Sequence, residues 1–159
     1  MNVVLNISDF SIENVFFLEK KTNIVFNGVF TKIMYSNELF LMNGIYFKFP
    51  LEIQKINENP NKIYALFQVY NKINIKTVQE FTGVELSILE QYKRMNNCNK
   101  KINNSLSKQM YSGFVKIFCV QDNKNPVIEP NTTVSFVMKI SGVWETNDEI
   151  GITYKLYRS

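Results

Sequence analysis

Apolar positions recur at two-residue steps along most of this 159-residue chain. That is the period of strands whose side chains alternate between two faces. Residues 1–7 and 12–18 read as short strands. Residues 24–35 follow, broken at Asn27-Gly28, and Ser36-Asn37-Glu38 reads as a turn. Residues 39–49 are interrupted in the same way at Asn43-Gly44, a dipeptide of tight turns and bulges. Pro50 then marks a strand end or edge, because it has no N–H to give a ladder. Residues 63–70, 114–120, 132–144 and 151–157 complete the set. Several of these strands are apolar on both faces. Ile63, Ala65, Phe67 and Val69 alternate with Tyr64, Leu66, Gln68 and Tyr70. Such strands are covered twice or display aromatic rings for a purpose.

One segment changes period. Between residues 76 and 96, Val78, Phe81, Val84, Ile88, Leu89, Tyr92 and Met95 recur at three- and four-residue steps, which predicts a helix of about 77–96. Thr77 with Glu80 and Thr82 with Glu85 are two candidate capping boxes for its start. Lys93 and Arg94 fall in the last turn, where cations suit the helix dipole. Residues 96–105 are polar and basic, and residues 106–111 read as a second short helix.

The order is several strands, one main helix, then three strands, in a single domain over residues 1–159. We expect an all-β fold with one main helix. An OB-like Greek-key barrel, which carries a helix between its third and fourth strands, fits if the additional N-terminal strands are an extension. A β-sandwich with an inserted helix is the alternative.

Composition narrows the chemistry. There is no His, which removes the commonest general base and metal ligand and every Ser/His or Cys/His dyad. Two Cys, Cys98 and Cys119, make no zinc site and read as buried free thiols. The acidic residues are scattered or sit in a turn at Glu145, Asp148 and Glu149, and no phosphate-binding glycine motif is present. We therefore expect no enzyme, no cofactor and no metal. No apolar run is long enough to span a bilayer and no signal peptide is visible, so we expect no membrane association and no secretion. The formal charge is +4, and residues 61–120 hold nine cations against three carboxylates. Basic charge concentrated in this way favours polyanions.

Alternation along the C-terminal strands puts Lys139 on one face of residues 132–144, and Thr153, Lys155 and Tyr157 on one face of the last strand. If these strands pair, a Lys139–Lys155–Tyr157 surface results. Simple alternation places Trp144, the single Trp, with the core, whereas a bulge at Gly142 would turn it outward. Lys32 and Tyr35, Tyr46 and Lys48, and Lys116 are similar Lys or Tyr positions in other strands. A Lys in mid-strand must reach water, and Lys beside a ring suits an unpaired polynucleotide, ammonium to phosphate and ring to base. The candidate nucleic-acid-binding residues are Lys32, Tyr35, Tyr46, Lys48, Lys116, Lys139, Trp144, Lys155 and Tyr157, with Lys93, Arg94, Lys100 and Lys101 extending the electrostatic path.

The segment KISGVWETNDEIGITYKL, residues 139–156, resembles the C-terminal end of single-stranded-DNA-binding-like proteins of large cytoplasmic DNA viruses. Those proteins carry a strand ending in SGxW, an acidic turn and an IGxTYK-like strand. The pattern Glu85, Leu89, Tyr92 is similar to theirs more weakly. The resemblance implies an OB-fold and binding of single-stranded DNA, or of RNA, without sequence preference. It also implies a role in viral replication, recombination or repair, at a cytoplasmic replication site of the host or in the virion. An AT-rich coding composition, with Lys outnumbering Arg 16 to 2, is consistent with such a source. The chain ends in Tyr157-Arg158-Ser159, which departs from the acidic tail of many such proteins. The alternative expectation is a non-catalytic viral structural or interaction protein whose two-faced strands are buried in a homo-oligomer.

Overall fold

The computed structural model describes residues 3–23, 28–59, 62–118 and 129–159. Cys119 and the Asn27 half of the expected Asn27-Gly28 break lie outside these.

Among the described residues, eleven strands and two α-helices follow in chain order. They are β1 (Leu5–Asn6), β2 (Val15–Asn23), β3 (Gly28–Ser36), β4 (Leu41–Asn43), β5 (Ile45–Ile53), β6 (Lys55–Asn59), β7 (Lys62–Leu66), α1 (Lys72–Asn96), β8 (Lys101–Ile102), α2 (Ser105–Tyr111), β9 (Phe114–Ile117), β10 (Thr132–Glu145) and β11 (Glu149–Arg158). The class is mostly β with one main helix. The strands form an eight-stranded and a three-stranded sheet, and these are not closed into a barrel. The smaller sheet, β6-β7-β9, meets the larger through an isolated parallel bridge between Phe118 and Tyr157.

The long strand β10 organises the larger sheet. Its residues 132–140 pair with β5, its residues 142–145 pair with β3, and its other edge pairs with β11. Gly44 makes this division possible. It adopts φ +90° between β4 and β5, so the chain leaves its hairpin with β3 and turns alongside β10. That backbone region suits glycine. A Cβ there would also stand 3.0 Å from the Ile140 carbonyl oxygen.

One face of the sheet is the core. Ile45, Phe47, Phe49, Leu51 and Ile53 of β5 line up with Val134, Phe136, Met138 and Ile140 of β10, all buried. The apolar stripe of α1 covers them. Phe81 packs edge-on against Phe47 and Phe49, with centroids 5.6 and 4.8 Å apart. Burial of each such ring stabilises by about 1.5–3 kcal/mol.

One expectation about local structure is corrected and another is narrowed. The helix starts at Lys72, not at either capping box, because Asn71 caps it by accepting from the Asn74 N–H at 2.8 Å. The box residues work elsewhere: the Thr77 hydroxyl donates to the Pro50 carbonyl, and Glu85 reaches across to α2. Of the two readings of Pro50, the edge holds and the end does not, for β5 runs on to Ile53. β1 covers only Phe47 and Lys48, so the strand is an edge by Pro50 and no neighbouring strand needs its N–H. The side chains of α1 seal that edge. Fully buried Asn74 accepts from Glu52 N–H and donates to the carbonyls of Glu52 and Gln68.

Glu85, also fully buried, is the N-terminal cap of α2. Its carboxylate accepts from the backbone N–H groups of Leu106 and Ser107, at 2.9 and 3.1 Å, and from the Ser107 hydroxyl. A carboxylate at a helix N-terminus satisfies otherwise orphaned donors.

Candidate nucleic-acid interface

The face of the large sheet opposite α1 is set by the register. Tyr46 of β5, Lys139 of β10 and Lys155 of β11 form one cross-strand row. Lys48, Val137 and Tyr157 form the next. Partners directly opposite in antiparallel strands point to the same side. Lys139 and Lys155 are therefore neighbours with like charge, in contact with rings rather than carboxylates. The Lys139 ammonium lies 5.5 Å from the Tyr46 centroid and that of Lys155 lies 5.1 Å from the Phe118 centroid.

Beyond Ile140 the register of β10 shifts by one residue. Ser141 is the extra residue, and the bulge inverts the strand's remaining faces. Val143 turns inward and is fully buried, while Trp144 turns outward beside Phe30 of β3 and Gly151 of β11. Simple alternation from Ile140 places Trp144 in the core and is corrected by this bulge. Two glycines make floor space for the rings. A Cβ on Gly151 would collide with the Trp144 indole, and one on Gly142 would collide with the Phe30 ring and the Thr31 carbonyl. Lys32 pairs with Gly142, which pairs in turn with Thr153.

The outer face thus brings together Lys32, Tyr46, Lys48, Lys139, Trp144, Lys155 and Tyr157. Lys48, Lys32 and Lys155 are exposed, and the other four are partly so. Lys116 sits on the smaller sheet next to Phe118, its ammonium 4.7 Å from that ring. Among the described residues none of Lys32, Lys48, Lys116, Lys139 and Lys155 pairs with a carboxylate.

Other candidates fall elsewhere. Tyr35 is 1% exposed, stacked between Phe10 and Phe40, with its hydroxyl accepting from the Ser11 N–H, so it is a core residue and not part of this surface. It has the parity of Ile33, not of Lys32. Lys93 and Arg94 end α1, in the layer behind the sheet, where Arg94 bonds Gln91. Lys101 lies on the edge strand β8 beside Glu149. Lys100 does not face the interface freely, because it donates to the Glu145 carboxylate and to the Thr146 carbonyl, both at 2.8 Å.

Glu145 is the hub of a separate polar cluster at the inner end of the hairpin. The Tyr92 hydroxyl donates to it at 2.8 Å, and the Lys20 ammonium lies 3.7 Å away. Burial pushes the Glu145 carboxyl up, but the hydrogen bonds of Lys100 and Tyr92 and the charges of Lys20 and Lys100 outweigh it and hold it below the ordinary carboxylate value. Burial, with the neighbouring Glu145, pushes the Tyr92 hydroxyl up to about 12, against the lowering effect of the Thr31 hydrogen bond. A carboxylate held ionised beside a neutral phenol and two ammonium groups is a lock between β2, α1, the 97–100 segment and β10.

Sequence reasoning missed Phe30 and Phe118. Both had a readable signal, since each lies two residues from a candidate Lys, Lys32 and Lys116, and so shares its face. Among the described residues no His/Cys/Asp/Glu group could hold a metal, and no helix is long and apolar enough to cross a membrane. Comparison with protein-family models, with curated proteins and with solved structures finds no match.

Proposed function

We propose that this protein binds single-stranded nucleic acid, DNA or RNA, without sequence preference and without catalysis, through the outer face of its large sheet. The observation that carries the reading is the row Tyr46–Lys139–Lys155 with its neighbours Lys48 and Tyr157. Like charges held directly opposite one another cost stability, and a polyanion relieves that cost. Rings beside the ammonium groups offer stacking worth about 1–3 kcal/mol per base, which is tolerant of sequence. The open sheet would serve as an OB-like platform, and a role in viral DNA replication, recombination or repair follows from the resemblance of residues 139–156.

Trp144 is the reporter, being the single Trp and outward-facing. Titration of folded protein with oligo-dT at low salt should quench its fluorescence with submicromolar affinity. The absence of both quenching and a gel-mobility shift would end the proposal.

A second reading, a self-associating interaction protein, is favoured by the apolar side chains exposed around β2 and β4. Leu39 is 88% and Leu41 64% exposed, and Phe16 and Leu18 lie nearby in the sheet. Sizing without nucleic acid separates the two. A stable oligomer with no affinity for oligonucleotides supports this second reading.

A further inference from the structure

The smaller sheet has its own outer face. Pairing of Lys55 with Leu66, of Asn57 with Tyr64, of Tyr64 with Lys116 and of Leu66 with Phe114 puts these six residues on one side. Ala65, Val115 and Ile117 point the other way and are buried. Tyr64 and Phe114 lie parallel, their centroids 4.4 Å apart and their planes within 12°, and Phe114 is exposed. Phe118 carries this face onto the large sheet. It shares the side of Lys116, two residues before it, and bridges to Tyr157, with ring centroids 6.3 Å apart. The ammonium groups of Lys116 and Lys155 approach the Phe118 ring at 4.7 and 5.1 Å, one from each sheet.

The paired residues on this side include Lys55 and Lys116 and no carboxylate. Aromatic rings interleaved with cations, Phe114 exposed and Tyr64 and Phe118 half-buried, do not suit a partner that is merely hydrophobic. They suit an anion with flat faces. We infer that Phe118, Lys116, Tyr64 and Phe114 form a second stacking platform, beside the first, for the same unpaired polynucleotide. The inference rests on the proposed binding function and extends its footprint across the junction of the two sheets.

Strand spacing of about 4.8 Å gives the row from Tyr46 through Lys139 to Lys155 a span of roughly 10 Å, and two further spacings, to Phe118 and on to Tyr64, add roughly 10 Å to it. A short oligonucleotide can therefore occupy the first platform alone, whereas a longer one reaches both. The test compares oligo-dT of about 4 and about 12 nucleotides, lengths that bracket the site sizes of comparable sheet surfaces. The wild-type protein should bind the longer one at least about tenfold more tightly, since each further stacked base adds roughly that factor. Phe114→Ala with Lys116→Glu should remove most of this gain and leave Trp144 quenching by the shorter oligonucleotide unchanged. Lys116→Glu alone should lower the salt slope for the longer oligonucleotide by about 0.7.

Equal affinity of the wild type for both lengths would overturn the second platform and leave the first standing. So would variants that lose both lengths equally while keeping the wild-type melting temperature. Failure of both lengths to bind would remove the function and its extension together.

Discussion

Replacing Lys155 by Glu gives the sharpest test, because its effects on fold and on binding are separable. Five of the lysines on the outer faces are the candidate phosphate contacts: Lys32, Lys48, Lys116, Lys139 and Lys155. If each neutralises one phosphate of a single strand, affinity falls with salt with a log–log slope of about −3.5, at ~0.7 per contact. Across a fourfold rise in salt this is roughly a hundredfold loss. Lys155→Glu should bring the slope to about −2.8. It also exchanges an attraction for a repulsion, a change of about 2 kcal/mol at 4 Å in water, so low-salt affinity should fall by more than about tenfold. The folded state feels two opposing effects. Removal of the like-charge contact with Lys139 gains roughly 0.2–1 kcal/mol, and loss of the ammonium over Phe118 costs roughly 0.5–1 kcal/mol. The net should stay within about 0.5 kcal/mol, typical of an exposed position. Titrations of Trp144 fluorescence at several salt concentrations, with thermal melts alongside, measure both quantities. Unchanged affinity and slope in a folded variant would refute the reasoning.

Three further outcomes follow from the same geometry. Glu85→Gln keeps the shape of the α2 cap but offers one acceptor oxygen where the two N–H groups and the Ser107 hydroxyl converge. It should cost about 1.5–3 kcal/mol, read as a lower denaturation midpoint at constant slope, and a change under about 0.5 kcal/mol would discount the cap. Glu145 titrates lower folded than unfolded, so its contribution to stability is complete above the ordinary carboxylate value and is lost as pH falls through the depressed one. Melting temperature should accordingly drop on acidification through and below pH 4.5, and less steeply in Glu145→Gln; parallel curves would contradict the lock. Gly151→Val should displace the Trp144 indole, shift its emission and weaken oligo-dT quenching, whereas unaltered emission would show that the ring does not rest there.

Strand periodicity made the β class and the outer parity of Lys139, Lys155 and Tyr157 legible, because side-chain direction in a strand is set locally. The helix stripe was legible for the same reason, although its start was not. Asn71 caps through its own side chain, while Thr77 and Glu85 look like cap residues but serve β5 and α2, contacts that no local pattern encodes. Tyr35 was misplaced because Tyr tolerates core and surface alike; three residues from Lys32, it falls on the opposite face, paired with Val15 and Met42. Trp144 depended on a single residue of register, which Gly142 signalled without fixing. The joining of two sheets at Phe118 rests on contacts far apart in sequence and left no trace in the pattern.

The extra residue at Ser141 acts as a frame shift for the sheet. Substitutions along β10 alter one position at a time, whereas deletion of the Ser141 codon would remove the bulge and let Gly142 follow Ile140 directly, still opposite Thr153. Val143 and Glu145 would stay inward and the indole outward. A one-residue gap here is therefore compatible with the same two faces, whereas unbroken alternation at the present length would turn Val143 out and carry the indole beneath the sheet.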